Sequence, residues 1–390
     1  MISVEEALAR LLERADPLPV EIAPLTEAAG RVLARPLAAA RDQPPFDSSM
    51  MDGYAVRNAE TVPGAVFQVV GEAAAGHALD REIGPHQAAR IFTGAPMPKG
   101  ADRVVIQEDT TREGDRIALR GTLDSSIHVR RTGSDFQTGS MMDAPRILRP
   151  SDLSLLASMG HARLPVARRP VVALLTTGDE LVMPGARPGP DQIVASNAIG
   201  LAAMIQAHGG HPRLLPIARD NAASLNEAFQ LCEEVDLIVT IGGASVGKHD
   251  LIGPATRRLG MTPSFHKVAM RPGKPLMAGR LRGIPLMGLP GNPVSALVCG
   301  EVFLVPVLRA MLGLAKGPRP TQKAILGCDL GPNGPRAHYM RAHRTETGVI
   351  AFDRQDSALL SVLAKADCLL IRPPGQDPLT EGATVDILPV

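Results

Sequence analysis

The chain has no tryptophan, two tyrosines and eight phenylalanines among 390 residues. So few flat rings leave no platform on which single-stranded nucleic acid could stack. An excess of one charge is missing too: 41 Lys and Arg face 40 Asp and Glu, a formal net charge of +1. That balance speaks against a basic nucleic-acid face or an acidic tail. The four cysteines, Cys232, Cys299, Cys328 and Cys368, lie far apart without C-x-x-C or any zinc spacing, and read as reduced, mostly buried thiols. No clean membrane span is present. The most apolar stretch, from Ala296 to Ala315, carries Glu301, Pro306 and Arg309, charges that are expensive in lipid, so it reads as a helix of a soluble protein. The opening residues MISVEEAL are acidic early and amphipathic, unlike a signal peptide, and a cytoplasmic location without nucleic acid or membrane is expected.

Glycine (38) and proline (35) are abundant instead, in no repeat or low-complexity tract, and 45% of residues are hydrophobic. The reading is a folded chain with many turns and real cores, roughly two to four domains by length. Apolar positions Val4, Ala7, Leu8, Leu11 and Leu12 predict a first helix, Val4 to Arg14, stopped by Asp16-Pro17. From about residue 44 to 140, short runs such as Ala65 to Val70 and Arg103 to Ile106, separated by Gly and Pro, predict a β-rich unit. Ser151 to Met159 reads as a helix capped by Ser151. After Arg168-Arg169-Pro170 the texture changes: strands at Val171 to Leu175, Leu214 to Ile217 and Asp236 to Ile241 alternate with helices at Ala198 to His208, capped by Asn197, and Ala222 to Glu234. That alternation predicts a parallel sheet covered on both faces, with ligands at the carboxyl ends of its strands. Short strands return near the end, at Val349 to Phe352 and Cys368 to Ile371.

Polar clusters fall at the predicted strand ends. Thr177-Gly178-Asp179-Glu180 follows the first buried strand; a carboxylate there could ligate a hard cation, act as a base, or simply open a turn. Gly242-Gly243-Ala244-Ser245-Val246-Gly247-Lys248 fits G-x-x-x-x-G-K. A phosphate loop needs Ser or Thr next for magnesium, and His249 stands there, so the segment reads as a general anion cradle. His266 to Pro275 sets Lys267, Arg271 and Lys274 among prolines that forbid a regular helix, better suited to gripping a multiply charged anion than to a solvated face. In Gly288-Leu289-Pro290-Gly291-Asn292-Pro293-Val294-Ser295, Asn292 suits an N-cap and Pro293 the first helical position, another helix start competent for anions. Of the ten histidines, the H-x-x-H pair His208 and His211 makes a poor zinc site, and His338 and His343 read as ordinary surface residues.

Taken together, Pro45–Val56 (PFDSSMMDGYAV), Arg90–Pro96 (RIFTGAP), Arg130–Asp135, Thr177–Leu181 (TGDEL), Gly242–Asp250, Met270–Pro275 and Gly288–Ser295 (GLPGNPVS) are similar, in order, to the strings of the molybdopterin molybdenumtransferase family. That family shares its fold with the C-terminal domain of gephyrin. The resemblance implies a multidomain α/β plus β protein: a composite N-terminal region (1–45 and 141–168), an inserted β-rich domain (46–140), an α/β molybdopterin-binding domain (169–318) and a C-terminal β-barrel (319–390). It implies a homodimer, with transient contact to the adenylyltransferase and to molybdoenzyme targets. The implied reaction is magnesium-dependent insertion of molybdenum from molybdate into adenylated molybdopterin, releasing AMP.

The family's functional positions fall on Asp52, Thr93, Asp135, Glu180, Asp220, Asp250, Lys267, Lys274, Pro290 and Pro293, with Arg341 and Ser357 as matches on shorter strings. Glu180, Asp250 and Asp52 are the implied magnesium ligands. Gly242, Gly243, Ser245, Gly247, Arg271, Gly291, Asn292 and Ser295 complete the expected anion-binding set. Ser134 stands where the family usually has Glu, and Arg271 where Lys is common. Two other classes stay open: an adenylyltransferase or nucleotide hydrolase using Gly242–Lys248, and a non-catalytic scaffold of the gephyrin type.

Overall fold

The computed structural model describes residues 1–243 and 252–390. Ser245, Gly247 and Asp250 therefore lie outside the described residues, as does most of the G-x-x-x-x-G-K segment. The chain divides into two compact units, one of Met1–Glu21, Gly30–Ala34 and Val166–Val390, the other of Ile22–Ala29 and Arg35–Pro165.

Helix α1, Val4–Leu12, belongs to the first unit. Ser3 accepts a hydrogen bond from the Glu6 N–H, and Val4, Ala7, Leu8, Leu11 and Leu12 are all buried on one face. The second unit centres on strands β1 (Gly53–Val56), β2 (Val66–Ala73), β3 (Gln87–Ile91), β4 (Arg103–Ile106), β5 (Thr110–Glu113) and β6 (Arg116–Leu119). They form one sheet in the order β4-β1-β3-β2-β6-β5. Ala55, Ala89, Ile91 and Val104 pack on one side, Tyr54, Val56, Phe67 and Ile117 on the other. Helix α2 is Pro150–Ser158, with Pro150 in its first turn. Ser151 thus lies inside the helix and Arg149 holds the cap position, its N–H donating to Asp152 Oδ2 at 2.9 Å. Proline claims the first turn because the amide hydrogen it lacks would have had no partner there.

In the first unit the alternation continues with β7 (Val171–Thr176), α3 (Asn197–Ala207), β8 (His211–Leu214), α4 (Ala222–Gln230), β9 (Leu237–Ile241), α5 (Ile252–Arg258), β10 (Thr262–His266), β11 (Met270–Arg271), β12 (Met277–Leu281), β13 (Ile284–Leu289), α6 (Pro293–Cys299) and α7 (Val305–Met311). Six strands make one sheet, β8-β7-β9-β13-β12-β10. The four from β8 to β13 are parallel, but β12 and β10 run antiparallel to their neighbours, so the expected parallel sheet is mixed. The reversal is a hairpin: Arg282 (φ 51°) and Gly283 (φ 83°) turn the chain from β12 into β13. Alternate residues of β7 serve opposite faces. Val172 and Leu174 join α1, α3, α6 and α7, while Ala173 and Leu175 join Leu225, Ala228 and Phe229 of α4.

Several boundaries differ from the sequence reading. The strand expected at Leu214 to Ile217 lies at His211–Leu214, because Pro170 and Val171 draw it into register. Helix α4 ends at Gln230 instead of Glu234, whose φ is 53°. Asn197 is the first residue of α3, after Ser196; its side chain is engaged elsewhere. The starts of β7 and β9 are tied by Arg168, which grips Asp236 with both guanidinium nitrogens (2.6 and 3.0 Å) while Asp236 also accepts the Val171 N–H at 2.8 Å. The helical run Pro293–Met311, with a π-turn at Gly300–Leu304, is long and apolar enough to cross a membrane, yet 83% of it is buried inside the protein. Cys232, Cys299 and Cys368 are buried free thiols and Cys328 is half-buried. Burial pushes Cys232 up to about 11 and Cys368 up to about 12, so neither offers a thiolate near neutrality.

The C-terminal sheet contains β14 (Gln322–Ile325), β15 (Ala337–Arg344), β16 (Val349–Ala351), β17 (Cys368–Arg372) and β18 (Thr384–Pro389). Its order is β11-β15-β17-β18-β14, with β16 on β15. Strand β11 thus carries the basic loop into this sheet. That loop turns at Gly273, whose φ of 108° L side chains rarely adopt and whose open side faces Cys299 Sγ and Met270 Sδ. Gly273→Ala is expected to lower the unfolding free energy by ~2–4 kcal/mol, from backbone strain and overpacking together. Urea denaturation checks this, and Cys299→Ala in the same chain should relieve part of the loss; additive costs would show that the sulfur is not the obstacle.

Candidate functional site

Three parallel strands end at one edge of the sheet, and their turns are stitched by backbone. The Thr177 N–H donates to the Ile241 carbonyl (3.1 Å), Gly242 N–H to Leu289 (3.1 Å) and Gly178 N–H to Ala218 (3.2 Å). Gly242 has φ 90°, and a Cβ there would sit 3.0 Å from the Thr177 carbonyl oxygen; glycine is what lets the turns close. Above them opens a cleft of about 720 Å³. It is lined by Glu180 and Asp220, by Gly242 and Gly243, and by Pro290, Gly291, Asn292, Pro293 and Ser295. Thr177 and Asn197 line it too.

Hydrogen bonds fix these walls. Asn197 Nδ2 donates to the Gly291 carbonyl at 2.7 Å, so this side chain clamps the GLPGNPVS turn instead of capping α3. Asn292 occupies the N-cap position of α6 but makes no capping bond; its Nδ2 donates to Ser357 Oγ at 3.0 Å. The Val294 N–H donates to the Ser357 carbonyl at 3.1 Å. Two bonds thus seat Ser357 on the start of α6. Asp179 Oδ1 accepts the Asp220 N–H at 3.2 Å, which holds the loops bearing Glu180 and Asp220 together.

The basic loop borders the cleft through Pro275. Its backbone is pinned, with Lys267 N–H donating to Leu276 (2.9 Å) and Val268 N–H to Lys274 (3.0 Å). Lys267 has a left-handed φ of 72°. Among the described residues, Lys267, Arg271 and Lys274 have no carboxylate within 4.0 Å. Arg341, only 1% exposed, donates from Nε to Gln355 Oε1 (3.1 Å) and from Nη1 to the Asp356 carbonyl (2.7 Å). Burial, and Arg271 with it, lowers its pKa against the opposing pull of Asp356. Ser357 follows Asp356 directly, so one loop carries both Arg341's acceptor and the Asn292 partner.

His338 is not the surface residue expected from the sequence: it is 8% exposed. Burial, followed by the charges of Arg271, Arg341, Arg372 and Arg336, lowers its pKa to about 4. His343 is half-buried, with a buried Nδ1 that has no partner, its ring 5.0 Å from Phe352. Strand β15 is buried along most of its length, so no alternation of polar and apolar residues marked either histidine.

In the other unit, Asp52 Oδ1 accepts both the N–H and the hydroxyl of Thr93 at 2.8 Å. The Thr93 N–H, then its hydroxyl, holds the carboxyl below its ordinary range and keeps it ionised. Arg90 stacks over Tyr54 and Phe92 at 5.1 and 4.8 Å beside it. Asp135 donates its N–H to the Gln43 carbonyl at 2.9 Å, in a turn where the Ser134 N–H donates to Arg131. Among the described residues no three His, Cys, Asp or Glu side chains converge as a metal cluster, His208 and His211 included. Two carboxylates in an open cleft do fit magnesium, which keeps waters and substrate phosphates as its other ligands.

Gln355 escaped the sequence reading, and Asn197 and Thr177 entered it only as a helix cap and as part of a strand-end cluster. Each acts through hydrogen bonds to distant backbone, which local spacing does not report.

Family profiles match the chain along its length: MoeA N-terminal region (domain I and II) over residues 2–160, probable molybdopterin binding domain over 173–310, and MoeA C-terminal region (domain IV) over 323–390. A molybdopterin molybdenumtransferase of Nostoc is 36% identical over 94% of this chain and 88% of its own. Molybdopterin molybdenumtransferase 2 of Mycobacterium tuberculosis is 39% identical over 95% of each. Among solved structures, a molybdopterin biosynthesis moeA protein from Pyrococcus horikoshii superposes with a TM-score of 0.85 at 27% identity, covering 100% of both chains. With full-length relatives at this identity and a matching fold, the chain belongs to the molybdopterin molybdenumtransferase family.

Proposed function

We propose that this protein inserts molybdenum from molybdate into adenylated molybdopterin and releases AMP. The observation that carries the reading is the strand-end cleft, whose lining joins two carboxylates with glycine turns and a helix start competent for phosphate. Backbone N–H groups of the turns after β9 and β13 would hold the pyrophosphate, and Lys267, Arg271 and Lys274 would balance its charge and that of molybdate. Arg341 and Ser357, joined to the start of α6 through Asn292, would orient molybdate. The ligand's own dithiolene supplies the sulfur, in keeping with buried cysteines of raised pKa. Magnesium, when bound, would polarise the phosphoanhydride. Glu180 is the carboxylate proposed to hold it in the cleft; Asp220 stands beside Glu180, and Asp52 is the ionised acid that the second unit would offer a hard cation. Thr93 fixes Asp52, and Asp135 is the further acid proposed from that unit.

The finer picture completes the proposal: a cytoplasmic homodimer, a five-segment domain arrangement ending in a C-terminal β-barrel, and transient contact with the adenylyltransferase and molybdoenzymes. No separate observation favours nucleotide hydrolysis without pterin, adenylyl transfer or a purely scaffolding role.

The deciding assay supplies purified protein with adenylated molybdopterin, magnesium and molybdate and measures AMP. Glu180→Gln is expected to cut molybdate-dependent AMP release by ~100-fold or more while leaving affinity for the adenylated pterin within a few-fold. Unchanged turnover would remove Glu180 from the reaction. Lys274→Ala, at an exposed position, should leave the melting temperature unchanged and raise the KM for molybdate by ~10-fold, most strongly at low salt. An unaltered KM would show that the loop does not meet the anion.

A further inference from the structure

Strand β1 begins at Gly53, directly after Asp52, and Tyr54 stands across from Arg90 in the antiparallel pairing of β1 with β3. Paired residues point to one face, here the face of Val56 and Ala88. Phe92 follows Arg90 by two residues. Both rings lie against the guanidinium, whose central carbon is 5.1 Å from the Tyr54 centroid and 4.8 Å from that of Phe92. Its nitrogens are engaged as well. Nη1 donates to the Gly53 carbonyl at 3.3 Å and Nη2 to Gln107 Oε1 at 2.7 Å. The Gln107 N–H in turn donates to the Asp52 carbonyl at 3.1 Å. Arg90 thus holds the Gly53 carbonyl directly and the Asp52 carbonyl through Gln107.

Each of these partners is neutral, although acids stand nearby. Glu72 is opposite Arg90 in the parallel pairing of β3 with β2, and Asp52 is close enough for the Arg90 charge to act on it. Among the described residues neither acid comes within 4.0 Å of the guanidinium. Asp52 meanwhile uses only Oδ1, on the N–H and hydroxyl of Thr93, and among the described residues its Oδ2 has no hydrogen-bond partner. Two ring contacts and two hydrogen bonds outweigh a single exposed ion pair, whose worth in water is small. The cage therefore decides where the guanidinium sits.

We infer that Arg90 is a positioning residue for Asp52: the cage of Tyr54, Phe92, Gln107 and the Gly53 carbonyl steadies the chain around the acid and keeps the two opposite charges from pairing, which leaves Oδ2 open to a hard cation. The inference rests on the proposed magnesium-dependent reaction and adds to it the device that keeps one acid available. A lysine could not do the same. Its ammonium is a compact charge on a flexible stem, without the fork that reaches Gly53 and Gln107 together, and it would be free to neutralise Asp52.

The test compares Arg90→Lys, Arg90→Met, Phe92→Leu and the double variant Phe92→Leu/Arg90→Met in the full-length protein. Two quantities are read: the magnesium concentration for half-maximal AMP release, and the crystal structure around Asp52. Arg90→Lys and Phe92→Leu are expected to raise the magnesium requirement by ~3–5-fold, the worth of one exposed ion pair. Arg90→Met removes the competing charge, so it should leave the requirement at the wild-type value or below, and should bring Phe92→Leu back to that value. The non-conservative change is then the milder one for the cation, an order that a merely structural arginine would reverse. Crystals give a reading that needs no reaction: in Arg90→Lys and Phe92→Leu the basic nitrogen should pair with the Asp52 carboxylate. An unchanged requirement in both variants, a rise in Arg90→Met as large as in Arg90→Lys, or an Asp52 that stays unpaired in both crystals would each overturn the inference. Wild-type AMP release separates the failures. AMP release together with any of those results refutes only the role of Arg90, whereas no molybdate-dependent AMP, with the ion pair formed in the variant crystals, refutes the proposed reaction and leaves the cage standing.

Discussion

The cleft depends on three backbone turns meeting at the carboxyl ends of β7, β9 and β13. Thr177, Gly242 and the Leu289–Gly291 segment approach so closely that a side chain at Gly242 would press on the Thr177 carbonyl, and one at Gly291 would lie 3.5 Å from Gly242 Cα. The strand interiors behind them are apolar on both faces, which fixes where the turns emerge. Everything polar in the cleft is placed by that edge: Glu180 after β7, Gly242 and Gly243 after β9, and the α6 start after β13.

Charge is arranged around this edge unevenly. The chain as a whole is close to neutral, and its described ion pairs lie elsewhere, as with Arg168–Asp236 and Arg319–Glu301. Among the described residues Lys267, Arg271 and Lys274 of the basic loop and Arg341 of β15 have no such partner, and the loop joins that strand through the pairing of β11 with β15. A self-repelling group of this kind lowers stability on its own and is repaid when an anion arrives. Burial first, and the charges of Arg271, Arg341, Arg372 and Arg336 after it, lower the pKa of His338.

Much of the fold was legible because burial on both faces writes itself as an unbroken apolar run, as in Leu237–Ile241. The antiparallel edge was missed although Arg282-Gly283 marked its turn, since the apolar runs on either side carry no direction. Asn197 and Asn292 illustrate a different limit. Both look like caps by residue type, and both spend their amides on partners, Gly291 and Ser357, that only the fold brings near. Glu180 and the two glycine turns were readable by their position after strands and Asp220 only through the family resemblance, and the structure brings them into one cleft. Asp52 and Thr93 were readable only through the family strings, and they meet each other within their own unit. His338 gave no signal, because its burial comes only with the pairing of β15 with β11 and β17.

The most direct measurement of the central claim is a crystal structure of the protein soaked with AMP and magnesium. The account predicts phosphate density against the backbone of Gly242, Gly243 and Gly291, within reach of Glu180. Phosphate bound elsewhere, with the turns after β9 and β13 empty, would contradict it.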